Sequence, residues 1–328
     1  MSEQKLKTYI ESMFIDSGAF SLHAKHVRKS GKRTGKHGRV LENMEVRWTQ
    51  GDWSYYNLTK GSEFRSYCHD YAKFILHMRE RDPEMMFANI DAIGNPDLTW
   101  DIQMFFEKEY GIQPVPIVHC NTPMGYVDRY LEAGRYDLMG VGGSAQNLSK
   151  AYYLSWADKF FLHICPESNK RMPVIRTHGF AMTSWSLLCR YPWWSVDSAT
   201  WVKMSAYGML YVPRYRKGEF SYDTPPMMFN FSSRSPAQKK AQQHYLNFPA
   251  TTKKEVDLWF EHCGLPMGSV DEKGEPVEIG LMSHYIPRRK ANLIYLSELQ
   301  DSRPKWPYAL DNKIVQVSKV KYRKGMGL

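Results

Sequence analysis

The feature that most constrains this chain is a rhythm that repeats between residues 14 and 213. Short apolar runs alternate with amphipathic segments, and each run ends abruptly in a polar residue or a glycine. That alternation predicts βα units feeding a parallel sheet. The expected strands are Met13–Ile15, Phe87–Ile90, Val115–Val118, Leu138–Val141, Val174–Thr177, Trp194–Val196 and Met209–Val212. These are seven runs, and an eighth is expected at Lys7–Ile10 or at Asn292–Leu296.

Punctuation residues place the helices between them. Thr122 is expected to cap a helix with Pro123 in its first position, where a missing N–H costs nothing. Met124, Val127 and Leu131 then form one apolar stripe, and Gly134 ends the helix. Asp97–Tyr110 repeats the scheme, with Ile102, Phe105 and Phe106 facing inward and Gly111 as the stop. Further helices are expected over Glu63–Arg79, Leu148–Ile164 and Ser184–Arg190, the last halted by Pro192. The segment between Asp16 and Phe87 is too long for a plain βα loop and is read as an insertion plus a helix. Beyond Arg214, charged and proline-containing stretches dominate, with helices expected at Pro236–Asn247 and Thr252–Cys263.

The fold class expected from this pattern is α/β, a TIM-like (β/α)8 barrel. It carries an insertion after the first strand and a C-terminal elaboration, without a zinc site. Residues 1–213 form the barrel, with a basic insertion at about 22–62. Residues 214–328 form a basic C-terminal completion or subdomain that contacts nucleic acid.

Charge narrows the partner. Across 328 residues there are 44 Lys and Arg against 34 Asp and Glu, a formal net charge of +10. A basic excess favours a polyanion, and 10 Trp with 21 Tyr offer rings for base stacking. The five cysteines are widely spaced, with no CxxC pair, which fits buried thiols in a reducing cytoplasm. No apolar stretch has the roughly 20 residues of a membrane span, and the N-terminus has no signal-peptide core. A cytoplasmic protein without membrane association is expected, and a homodimer is an admissible assembly.

In β/α barrels the active site lies at the C-terminal ends of the strands. The polar residues ending the expected strands are Asp16, Asp91, His119, Gly142 and Gly143, His178 and Asp197. Three carboxylates on one rim raise one another's pKa, an arrangement that persists where acid–base or nucleophilic work needs it. Taken singly, each aspartate has a plainer reading as a helix cap or turn former. Both histidines are read as structural or substrate-orienting rather than as metal ligands. Gly142-Gly143 suits a close approach of backbone to a flat ligand. Lys25, Arg28, Lys29, Lys32, Arg33, Lys36 and Arg39 make a basic loop after the first strand, read as binding phosphates.

The ordered set FIDSGAFS (14–21), NIDAIGNP (89–96), PIVH (116–119), MGVGGSA (139–145), HGFAMT (178–183) and YPWWSVDSATW (191–201) resembles the tRNA-guanine transglycosylase superfamily. It looks most like the phage-type branch that places 7-deazaguanine bases in DNA. The resemblance covers roughly 200 residues. It implies a pentosyltransferase with no cofactor, in which Asp197 attacks the sugar C1′ and Asp16, with Ser17 beside it, handles protons at the base. It implies that Asp91 reads the base edge and that Gly142 and Gly143 contact the base. His119 stands where the tRNA enzymes usually carry Gln, and His178 joins the substrate-binding set. The tRNA enzymes also carry a CxCxxC zinc site that this chain lacks, which favours DNA over tRNA, with a free 7-deazaguanine base such as 7-cyano-7-deazaguanine as co-substrate. The alternatives are base exchange in tRNA and a non-catalytic nucleic-acid-binding barrel.

Overall fold

The computed structural model describes residues 14–17, 19, 21–22, 53–143, 150–239 and 243–303. The basic loop from Lys25 to Arg39 and the candidate strand Lys7–Ile10 lie outside the described residues. The chain divides into two compact units, Met1–Phe180 and Ala181–Leu328.

The first unit is a mixed α/β assembly around parallel strands. β1 (Phe14–Ile15) pairs in parallel with β2 (Met86–Phe87), Ile15 opposite Phe87. The end of β2 bridges to Val115 through Ala88, just before β3 (Ile117–His119). β3 pairs in parallel with β4 (Leu138–Gly142), and β4 with β5 (Arg176–Gly179). Five parallel strands therefore stand side by side in chain order. The sheet is curled: the Phe14 ring on β1 meets His178 at 4.6 Å and Phe180 at 5.6 Å, at the far end of the series.

The helices run between these strands. α1 (Glu63–Arg81) is capped by Ser62, whose side chain accepts the Arg65 N–H. α2 (Pro96–Tyr110) starts behind an Asn95 cap and stops at Gly111, whose φ of 63° is left-handed. α3 (Met124–Glu132) and α4 (Lys150–Ile164) complete the set. The expected Thr122 cap is displaced. Pro123 takes the cap position without a side-chain bond, while the Thr122 hydroxyl accepts the His119 N–H at 3.1 Å. Phe64, Ile75, Phe87, Ile102 and Phe106 are fully buried between α1, α2 and the strand edge.

The second unit opens with α5 (Trp185–Leu188), β6 (Ser195–Val196) and α6 (Thr200–Ala206). β7 (Met209–Val212) pairs antiparallel with β10 (Met227–Asn230), so the parallel rhythm ends there. Between them β8 (Arg214–Arg216) and β9 (Glu219–Ser221) form a hairpin. α7 (Ala250–Cys263), the β11–β12 hairpin (Ser269–Val270, Pro276–Glu278) and α8 (Tyr285–Ser302) follow. Pro236–Lys239 and Tyr245–Asn247 are two short 3-10 turns, not one helix. Asn292–Leu296, offered as an eighth strand, lies inside α8, because Arg288, Asn292, Tyr295 and Leu299 are buried at helical spacing. Asn292 ties this unit together. It accepts the Tyr211 N–H at 2.8 Å and donates to Ser205 Oγ at 2.9 Å and Met209 O at 3.2 Å.

Candidate functional site

β1 and β2 are neighbours, so Asp16 and Asp91 follow the C-terminal ends of adjacent strands. Asp16 is exposed, while Ser17 beside it is buried and its carbonyl accepts the Tyr67 hydroxyl at 3.1 Å. The phenol of Tyr71 donates to Ala88 O at 2.8 Å. Burial first, and then the charge of Asp16, push the Tyr71 hydroxyl well above its ordinary pKa. It therefore stays a neutral donor.

Asp91 is only 6% exposed. Its Oδ2 is in contact with His119 Nε2, a pairing of two largely buried side chains. A carboxylate taken from water needs such a partner, since an uncompensated buried charge is costly. Tyr56 also senses it: burial, then Asp91, raise its phenol far above normal.

The Asp91–His119 contact depends on a glycine. His119 and Gly142 are cross-strand partners on β3 and β4. A Cβ on Gly142 would lie 2.6 Å from His119 Cε1 and 2.7 Å from Nδ1. The imidazole therefore lies in the space a side chain would fill. The close approach expected at Gly142-Gly143 is occupied at Gly142 by His119, and Gly143 has a φ of 101°. His178 is 5% exposed, with Phe14 and Phe180 rings 4.6 and 4.7 Å away.

His119 lines a cavity of about 350 Å³, bounded by the β2–α2 loop, the β3–α3 turn and α3. Its volume is in the range of small-molecule sites. Two of its lining groups, the Tyr130 hydroxyl and the Asn121 Nδ2, are buried without a hydrogen-bond partner among the described residues. Asn121 sits at a φ of 79°, and its Oδ1 takes the Tyr152 hydroxyl, which turns the amide nitrogen the other way. Neither residue stands out in the sequence. An asparagine in a turn has an ordinary conformational reason to be there, since it tolerates left-handed backbone.

Asp197 belongs to the second unit and follows β6. It is exposed, and its Oδ1 accepts the Ala181 N–H at 2.9 Å, while its own carbonyl accepts the Met182 N–H at 2.9 Å. Ala181 has a φ of 59°, uncommon for a residue with a Cβ. That backbone aims two successive amides at one aspartate. The plainer alternative, that Asp197 caps the following helix, is not what is observed, since α6 is preceded by Ala199 and has no side-chain cap.

Among the described residues no group of three or more His, Cys, Asp or Glu side chains could hold a metal ion, and no helix is long and apolar enough to cross a membrane. No protein-family model, curated protein or solved structure matches the chain.

Proposed function

We propose that this chain is a base-exchanging transglycosylase acting on guanine in DNA, with Asp197 as nucleophile. The observation that carries the reading is the Asp197 carboxylate, exposed and held by a backbone N–H. Displacement at C1′ passes through an oxocarbenium-like state, which an ionised, accessible carboxylate can attack. The bond from C1′ to N9 of guanine breaks as the Asp197 oxygen bonds to C1′, and the departing base takes up a proton. The incoming 7-deazaguanine base loses a proton and displaces Asp197. Asp16 serves both transfers. Asp91, with its charge shared with His119, reads the N–H edge of the base. A target nucleotide must leave the stack to reach such a site, at about a few kcal/mol. The curled run of five parallel strands supports a (β/α)8 barrel as the frame.

The test is to incubate the chain with duplex DNA and labelled 7-cyano-7-deazaguanine, with a parallel incubation on tRNA. Label should enter DNA, and Asp197→Ala should abolish entry while the chain still unfolds cooperatively, its Tm lower by about 2–4 °C for the lost Ala181 N–H bond. Entry into tRNA alone would replace DNA as the substrate. Absence of label from both would reject base exchange.

A further inference from the structure

The β8–β9 hairpin carries a site that the chemistry above does not use. Lys217 and Gly218 form its two-residue turn, both with positive φ, 54° and 89°. This is the turn that matches the twist of a tight hairpin. Its register sets Arg216 opposite Glu219, Tyr215 opposite Phe220 and Arg214 opposite Ser221. Arg214 and Arg216 are two apart and share a face. Tyr215 and Phe220 form the non-hydrogen-bonded pair next to the turn pair, so the Tyr215 N–H points away from β9, toward the open edge of β8. Tyr215 is braced from beneath by Phe220, ring centroids 5.2 Å apart, and Phe220 rests on Trp259 of the core.

Along that edge lies a cavity of about 470 Å³, lined by Arg214, Tyr215, Arg216, Thr224, the two prolines after it and Glu255. Two carboxylates are close in register or lining, Glu219 and Glu255. Yet among the described residues neither arginine is ion-paired within 4.0 Å or hydrogen-bonded through its side chain. The Thr224 hydroxyl is buried and has no partner among the described residues. Two exposed guanidinium forks, uncommitted among the described residues, thus line one concave, solvent-open space, with Thr224 in its wall.

We propose that this cavity grips one phosphodiester of a DNA strand, with Arg214 and Arg216 on its oxygens, and Tyr215 and the prolines under the adjoining sugar. The charge balance selects the ligand. Two arginines against Glu255 leave one net positive charge in the lining, which matches the single negative charge of a backbone diester. A phosphate monoester carries about −1.5 to −2 at neutral pH and is overmatched beside a carboxylate. Planar guanidinium forks suit such an oxygen pair, and backbone contacts fix position without reading sequence. The assignment to DNA rests on the base-exchange reading; the site itself is independent of Asp197.

The experiment measures binding of the full-length chain to a fluorescent 20-nucleotide single strand and its duplex, between 50 and 200 mM salt. Arg214→Ala/Arg216→Ala should weaken binding about ten- to hundredfold. It should also reduce the slope of log affinity against log salt by about 0.9 on the duplex and about 0.7 on the single strand, the share of one phosphate. Arg214→Lys/Arg216→Lys should keep the slope and lose part of the affinity, because lysine retains charge without the fork. Millimolar inorganic phosphate should compete weakly, and Glu255→Gln should improve that competition. An unchanged slope in the alanine variant overturns the proposal, and so does inorganic phosphate that competes strongly against the wild-type chain. Base exchange run on the same variants separates the two ideas. Turnover with undiminished DNA affinity sinks only the phosphate site. Arginine-dependent binding with no turnover by the wild type sinks only the base exchange.

Discussion

Gly142→Ala is the smallest change that tests the Asp91–His119 pairing. The new Cβ would stand 2.6 Å from the His119 ring, where ordinary contact needs 3.4–4 Å. Something must retreat by about 1 Å. β4 cannot, because it is hydrogen-bonded on both edges, to β3 and to β5. The imidazole must swing instead, and its Nε2 leaves Asp91 Oδ2. Overpacking alone costs about 1–3 kcal/mol. A carboxylate stripped of its partner adds to that, so about 2–4 kcal/mol in total is expected. In a unit of this size that lowers Tm by about 4–16 °C. The assay is thermal unfolding of four proteins: wild type, Gly142→Ala, His119→Ala and the double variant. With the ring removed, Gly142→Ala should be neutral or stabilising by about 0.5–1 kcal/mol, since alanine suits a strand better than glycine. An equal cost in both backgrounds would refute the claim that His119 is what the glycine accommodates.

Two other changes follow from the same structure. Asn292→Leu leaves the Tyr211 N–H and the Met209 carbonyl unpaired inside the second unit, so urea unfolding should show a loss of about 2–4 kcal/mol. Burial pushes the thiols of Cys120, Cys165, Cys189 and Cys263 up to about 12, and that of Cys68 higher still. A thiol reagent at pH 8 should therefore label less than one cysteine per native chain within minutes, and all five once guanidinium unfolds it. Rapid native labelling at several sites would contradict the burial.

What the sequence made legible depended on how local the cause was. α2 could be read because its cap, its first proline and its final glycine all lie within the helix or next to it. The strands were found because an apolar run that stops abruptly is itself a local signal, although β1, β2 and β6 form only two residues each. Asn292–Leu296 misled because a short apolar run has no period of its own. Its helical identity comes from Arg288 and Leu299 flanking it at helical spacing. Pro236–Asn247 failed in the opposite way, since its backbone is spent on two 3-10 turns around His244, which bonds Ser232 O at 3.0 Å. Contacts between distant residues carried no sequence signal at all. Nothing in MGVGG announces that Gly142 makes room for His119, and nothing in HGFAMT announces that Ala181 will aim its amide at Asp197.

The aspartates also differ in a way that their identical side chains could not convey. Asp91 is enclosed and committed to an imidazole, whereas Asp197 is exposed and takes the Ala181 N–H on Oδ1. Environments that differ this much set different tasks for the same group. A nucleophile must present a lone pair to an incoming carbon, which an enclosed carboxylate facing a histidine does poorly. A base-reading group must keep one orientation while ligands exchange, which an exposed carboxylate does poorly. On the proposed base exchange, swapping these demands predicts distinct kinetic signatures. Asp197→Asn should lower kcat with little effect on KM for the free base, because the amide keeps the shape and loses the nucleophile. Asp91→Asn should chiefly raise that KM, because it inverts one hydrogen bond to the base. Rate profiles in which both variants lose kcat alone would mean that Asp91 also acts at the reacting centre, and the division of labour argued from burial would be wrong.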